Sequence, residues 1–270
     1  MKSGIEPEKR TTAGGSQTVA RAMQVLRLIA CGQELGVRLT DVVQMSGLNR
    51  PTVHRILKTL QAEGAVEQDD LSRRYRIGPE ITLLGIARTR RFPLMSIAAT
   101  GLAQLAQNVG DTAFISIRRG LDSICIGRQT GHHPIQVLSI DVGARRPLGV
   151  GVSGVMLLSC LTEDEIGPIM QANSERLAFH RLAVGALLER VSKARKHGYA
   201  YTSAGVMAHT RAVAVPVLSI AGEPLAALTI TAMADRLTAE RLPEVVHLMQ
   251  EQAESIGHQY SEQCRLGVKY

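Results

Sequence analysis

Apolar residues recur along this chain with two distinct periods. Ala22, Val25, Leu26 and Ile29 fill positions i, i+3, i+4 and i+7, the stripe of an amphipathic helix. Leu39, Val42 and Val43 mark a short second helix, and Val53, Ile56, Leu57 and Leu60 repeat the full stripe in a third. Between the last two, Ser46-Gly47-Leu48-Asn49 reads as a tight turn in which Gly47 can take a left-handed backbone. Gly64 closes the third helix. The period then becomes two: Ala65 to Gln68 and Arg73 to Ile77 predict short strands around Asp69-Asp70-Leu71-Ser72. Tyr75 and Ile77 share one face of the second strand, and Arg74 and Arg76 take the other.

Helical spacing returns after Gly78-Pro79-Glu80, where Pro suits a first turn, and Pro93 ends that segment. Ile81, Leu84 and Ala87 form its apolar positions, followed by Arg88, Arg90 and Arg91. Leu94 to Val109 is a further helix, with Ile97, Ala98, Leu102, Leu105 and Val109 inward and Gly110 at its end. Alternation predicts strands over 113–118, 123–128 and 136–140. A helix starts near Val152, and Thr162-Glu163-Asp164-Glu165 is a capping box for another. Residues 186–197 are a longer helix closed by Gly198, and 211–220 and 224–232 are strands around Ala221-Gly222-Glu223. A closing helix runs from Thr238 to Tyr260, its regular part set by Pro243. Hairpins rule against a purely parallel sheet; helices on an antiparallel sheet make an α+β domain.

Charge sharpens the division. Residues 1–92 carry 15 Lys and Arg against 9 Asp and Glu, while 93–270 carry 16 against 15. The positive excess therefore sits with the helix-turn-helix, which suits a nucleic-acid partner. Aromatics are 3% of the chain with no Trp, which argues against stacking on single strands. The 4 cysteines form no C-x-x-C pair, so zinc is a poor account and reduced thiols in the cytoplasm a simple one. No apolar run reaches membrane-spanning length, and residues 1–15, with Lys9 and Arg10, read as a disordered arm without a secretory signal.

The outer face of the third helix supplies the clearest chemistry. Asn49, Arg50, Thr52, His54, Arg55 and Lys58 lie away from its apolar stripe, a basic surface suited to the major groove of operator DNA. Arg73, Arg74 and Arg76 on the hairpin are placed to hold phosphates. The segment GLNRPTVHRILKTL, followed by Tyr75-Arg76-Ile77-Gly78, resembles the IclR family of bacterial transcriptional regulators, and the likeness runs from about Ser16 to the final helix. It implies a winged helix-turn-helix over 16–78, a linker helix over 79–92 and a GAF-like effector-binding domain over 93–270. It also implies a dimeric or tetrameric assembly and a small-molecule effector, read here as an organic acid. Pro51, where the family more often has Ser or Ala, is a departure that removes one possible phosphate donor.

Gly149-Val150-Gly151-Val152-Ser153-Gly154 matches the G-x-G-x-x-G spacing of dinucleotide sites, but no preceding buried strand or parallel crossover supports that use. By resemblance the segment instead leads into a helix beside the effector pocket, so Leu148, Val150, Gly151, Val152 and Ser153 are effector candidates. The backbone N–H groups there suit a carboxylate. Thr202, Ala212, Thr229 and Thr231 match further pocket-lining positions, although the family often has Asp at the first and Cys or a small residue at the second. Arg145 and Arg146 could balance an anionic effector but are expected at the surface, and His132-His133 in a turn without further metal ligands. Ser153 lacks the nucleophile frame, because Val155 follows Gly154. Asp111, Asp122 and Asp141 sit by turns. No catalytic constellation, cofactor site or metal set emerges. The competing readings are a nucleotide-binding enzyme built on Gly149–Gly154 and an architectural DNA-binding protein that needs no effector.

Overall fold

The computed structural model describes residues 14–89, 93–203 and 208–267. Most of the expected N-terminal arm, with Lys9 and Arg10, and Arg90 and Arg91 of the linker lie outside them. The chain divides into two compact units between Ala87 and Arg88.

In the first unit, α1 (Gly14–Cys31) is followed by one 3-10 turn, α2 (Leu39–Ser46), α3 (Arg50–Ala62), the hairpin β1 (Val66–Gln68) and β2 (Tyr75–Ile77), and α4 (Pro79–Thr89). Val25, Ile29, Val42, Val53 and Leu57 are fully buried at the centre of the three-helix core. Each such side chain contributes about 1.5–3 kcal/mol. Gly47 ends α2 at φ 67°. Asn49 then caps α3, its Oδ1 accepting from the Thr52 N–H at 2.9 Å, while Pro51 occupies the first turn, where no N–H is missed. The second strand begins at Tyr75 rather than Arg73. Arg73 is left-handed at φ 57°, because the turn carries on until its N–H reaches the Asp69 carbonyl at 2.9 Å. Val37 also pairs with Tyr75, donating to its carbonyl at 2.9 Å and accepting its N–H at 2.8 Å.

The second unit is built on a six-stranded antiparallel sheet in the order β5-β4-β3-β8-β7-β6. The strands are β3 (Thr112–Arg119), β4 (Asp122–Gln129), β5 (Arg145–Pro147), β6 (Ala200–Thr202), β7 (Thr210–Leu218) and β8 (Pro224–Met233). Helices α5 (Leu94–Val109) and α10 (Leu242–Gly267) cover one face. Val213, Val215, Val217, Leu228 and Ile230 point into that layer. The other face meets α6 (Gly151–Ser159), with α7 (Glu163–Ala172), α8 (Ser174–Phe179) and α9 (Val184–His197) around it. Here the same strands present Ala212, Ala214 and Ala227. Alternation thus sends large residues to one side and small ones to the other, and the small side leaves room for a cavity.

Several local expectations are corrected. Residues 136–140 form no strand, because the Gln136 side chain is committed to tertiary bonds: its amide donates to the Gly110 and His133 carbonyls at 3.1 and 2.7 Å. Thr112 Oγ1 donates to Gln136 Oε1 at 2.8 Å. The edge of β4 pairs instead with Arg145–Pro147, a stretch too short and charged to read as a strand. The helix α8 and the edge strand β6 were also unforeseen. The closing helix begins at Leu242, not Thr238, with Pro243 in its first turn.

Candidate functional sites

On α3, the buried stripe of Val53, Ile56 and Leu57 turns Asn49, Arg50, His54, Arg55 and Lys58 outward, all exposed, with Thr52 partly so. Positions 51, 54, 55 and 58 lie on one helical face. Arg50, Arg55 and Lys58 make no ion pair with any described residue, so their charge is available to a partner. The hairpin is less uniform than its sequence implied. Arg73 is exposed, but Arg74 Nη1 donates to the Gly36 carbonyl at 2.9 Å. Arg76 Nη1 lies 3.6 Å from Asp69 Oδ2. Hydrogen bonds from the Ser72 hydroxyl and N–H, with Arg76 adding a smaller effect, hold Asp69 below its ordinary carboxylate pKa.

In the second unit, a cavity of about 460 Å³, counting its open mouth, lies between the small face of the sheet and the start of α6. Of the nine effector candidates, Gly151, Val152, Ser153, Thr202, Ala212, Thr229 and Thr231 line it. Leu148 and Val150 do not: they are buried in the apolar layer beneath, 0% and 7% exposed. The lining also includes Phe114, Ser116, Ser139 and Ile140, which the sequence did not single out as effector contacts, and Arg146, which it weighed as a balance for an anionic effector. Period two on β3 puts Phe114 and Ser116 on the α6 face, since Ala113 and Ile115 face α5, so that signal was present.

Arg146 is the correction with most consequence. Its register opposite Ser123 on β4 leaves it half-buried rather than at the surface, and burial lowers its pKa from the ordinary guanidinium value. Its Nη2 donates to the Ser139 carbonyl at 2.7 Å. Arg145 is exposed and lies 3.5 Å from Asp122. Also in the lining, the Thr229 hydroxyl is buried with no hydrogen-bond partner among the described residues, a costly state unless a bound group satisfies it. The first-turn N–H groups of α6 lack intrahelical acceptors, and its cap residue, Val150, supplies no side-chain oxygen. Guanidinium, free helix N–H groups and unpartnered hydroxyl together suit a small anion with a polar substituent.

The glycine spacing has a packing explanation. Gly149 is left-handed at φ +99°, and a Cβ there would meet Leu187 Cδ2 at 2.4 Å. A Cβ on Gly154 would lie 2.8 Å from the Gly149 nitrogen, so both allow α6 to start tightly. The preceding strand is antiparallel to β4, so no dinucleotide crossover exists here. Asp111, Asp122 and Asp141 pair with arginines. His133 Nδ1 lies 2.9 Å from the Ile135 carbonyl oxygen in the turn. Among the described residues no group of three or more potential metal ligands occurs, and no helix is long and apolar enough to cross a membrane.

Comparison with known proteins agrees with both halves. The family described as "IclR helix-turn-helix domain" matches residues 18–70, and "Bacterial transcriptional regulator IclR C-terminal" matches residues 86–258. The HTH-type transcriptional regulator XynR of Escherichia coli is 27% identical over 224 residues, 82% of this chain and 88% of that protein. An IclR transcriptional regulator from Alicyclobacillus acidocaldarius superposes with a TM-score of 0.73 at 25% identity, covering 91% of this chain and 98% of that one. An IclR homologue from Microbacterium hydrocarbonoxydans, complexed with 4-hydroxybenzoate, shares the fold with a TM-score of 0.68 at 19% identity, over 92% and 99% of the two chains. The relatives are transcriptional regulators and not enzymes. This chain belongs to the IclR family of bacterial transcriptional regulators, with a helix-turn-helix DNA-binding unit and an effector-binding unit.

Proposed function

We propose that the protein is a cytoplasmic, ligand-responsive regulator whose paired heads read a palindromic operator and whose cavity takes a small organic acid. The observation that carries this is the exposed face of Arg50, His54, Arg55 and Lys58 on α3, free of ion pairs among the described residues. Arg55 is positioned for a bidentate contact to guanine, worth about 1–3 kcal/mol of discrimination. Among the wing arginines, Arg73 is the freest to grip phosphate; Arg74 and Arg76 would have to exchange their present partners. A homodimer, or a tetramer of paired dimers, is supported by exposed apolar side chains on the head, including Val19, Met23, Leu83, Leu84 and Ile86. Two-fold symmetry then implies a palindrome.

For the effector, Arg146 and the start of α6 would hold a carboxylate, and Thr229 would bond a second polar group. The fold shared with a homologue complexed with 4-hydroxybenzoate is in keeping with a hydroxylated acid. Effector binding would shift the placement of the heads through the helix at 79–92. Footprinting of the full chain on DNA upstream of its own gene tests the proposal. The expected result is two protected half-sites related by a dyad, with protection changed by an acid that also raises the thermal midpoint. Protection that is asymmetric, and indifferent to every acid that stabilises the protein, would refute it.

A further inference from the structure

A second recess in the effector unit lies at the outer edge of the sheet, where α9 passes β6. Arg190, Lys193 and His197 fall at i, i+3 and i+7 on α9, so two cations and an imidazole share one stripe over residues 190–197. Tyr199 and Tyr201 join them, and all five border a recess of about 560 Å³, open solvent at its mouth included. Arg190 sets this recess apart from an ordinary solvated helix face. It is half-buried, burial alone lowers its pKa from the ordinary value, and it has neither hydrogen-bond acceptor nor ion partner among the described residues. By contrast, Arg236 and Arg241 share Asp111, and Arg195 reaches Glu163 and the Ser159 carbonyl. No Arg190 nitrogen is among the buried polar atoms left without a partner, so the guanidinium is open to the recess, and a half-buried cation with no counter-charge of its own is a seat for an anion supplied from outside.

We infer that this recess is a second small-molecule site, separate from the effector cavity, for a metabolite carrying a phosphate group. A planar guanidinium beside an ammonium gives the fork and point charge that suit phosphoryl oxygens. Lys193 spends one N–H on Glu189 at 2.6 Å and retains two more donors. The tyrosine hydroxyls, which also lack partners among the described residues, complete the donor set, and their rings offer a flat wall to the rest of the molecule. The recess shares elements with the effector cavity: Ala200 and Tyr201 line it, while the next residue on β6, Thr202, lines the cavity.

The test is calorimetric titration of the full chain with pyrophosphate, and separately with inorganic phosphate, at fixed ionic strength against chloride. Pyrophosphate should saturate one site per chain. Affinity should fall at least about tenfold in Arg190→Gln, and should return in part in Arg190→Lys. The variants Arg146→Gln and Arg55→Gln separate the recess from the effector cavity and from the basic head, and both should retain the binding. Should Arg190→Gln fail to fold, Lys193→Gln and Tyr201→Phe carry the same comparison. Absence of saturable binding, or binding that survives Arg190→Gln, overturns the inference; so does binding lost with Arg146 or Arg55.

Discussion

The Arg146 guanidinium donates to the Ser139 carbonyl at 2.7 Å, and both residues line the cavity into which Thr229 is turned. A neutral carbonyl is a weaker partner for a half-buried cation than a carboxylate. An acid entering the cavity therefore competes favourably for Arg146. Replacing Arg146 by Gln is expected to weaken binding of a stabilising acid at least tenfold, consistent with about 1.5–3 kcal/mol for a hydrogen bond to a charged group. The readout is the ligand-induced rise in thermal midpoint at matched concentrations.

Thr229 offers the complementary experiment. Its hydroxyl is buried without a partner among the described residues, and valine has nearly the same shape. Thr229→Val should leave the unliganded protein as stable as before, or up to about 1 kcal/mol more stable. Affinity for the acid should fall several-fold. Chemical denaturation with and without ligand separates the two effects, and a clear loss of unliganded stability would show that the hydroxyl serves the fold.

Asp111 tests what holds the effector unit closed between α5 and α10. It is 2% exposed and accepts from Arg236 at 2.7 and 3.1 Å and from Arg241 at 3.0 Å. Arg241 also donates to the Val109 carbonyl, so both arginines tie the end of α5 to the approach to α10. Asp111→Asn should cost about 3 kcal/mol by leaving these cations without their charge partner. Glu189→Gln breaks only an exposed pair with Lys193 and should leave the urea midpoint where it is.

Cys125 gives a pH dependence with a definite sign. Burial, partly offset by a hydrogen bond with the Gly127 backbone, pushes its thiol from 9.0 up to about 11. Folding thus favours the neutral thiol. Its contribution to stability is complete below about pH 9 and is lost as pH rises through about 11. In the native protein Cys125 should resist alkylation under mildly alkaline conditions, while exposed Cys31 reacts. Mass spectrometry after brief iodoacetamide treatment checks both.

Local periodicity carried most of the fold. The stripe at Val53, Ile56, Leu57 and Leu60 located α3 and its outward face, and period two put Thr229 and Thr231 on one face, which the family resemblance assigned to the pocket. Information held in tertiary partners was not legible. Residues 136–140 have the composition of a strand, but Gln136 is drawn into bonds with Gly110, Thr112 and His133 that no local pattern announces. Arg146 reads as a surface charge until the pairing of β5 with β4 turns it inward. Arg74 and Arg76 read as free charges on the wing, and nothing local announces that the Gly36 carbonyl and Asp69 engage them in the folded chain.

The central claim is that the basic face of α3 reads duplex DNA. Fluorescence anisotropy with the footprinted operator and a scrambled duplex tests it, using the wild-type chain and Arg55→Ala. The account predicts that Arg55→Ala loses most of the preference for operator, about 1–3 kcal/mol per contacted base, while binding to the scrambled duplex weakens far less. Unchanged operator affinity and unchanged preference in Arg55→Ala would contradict it.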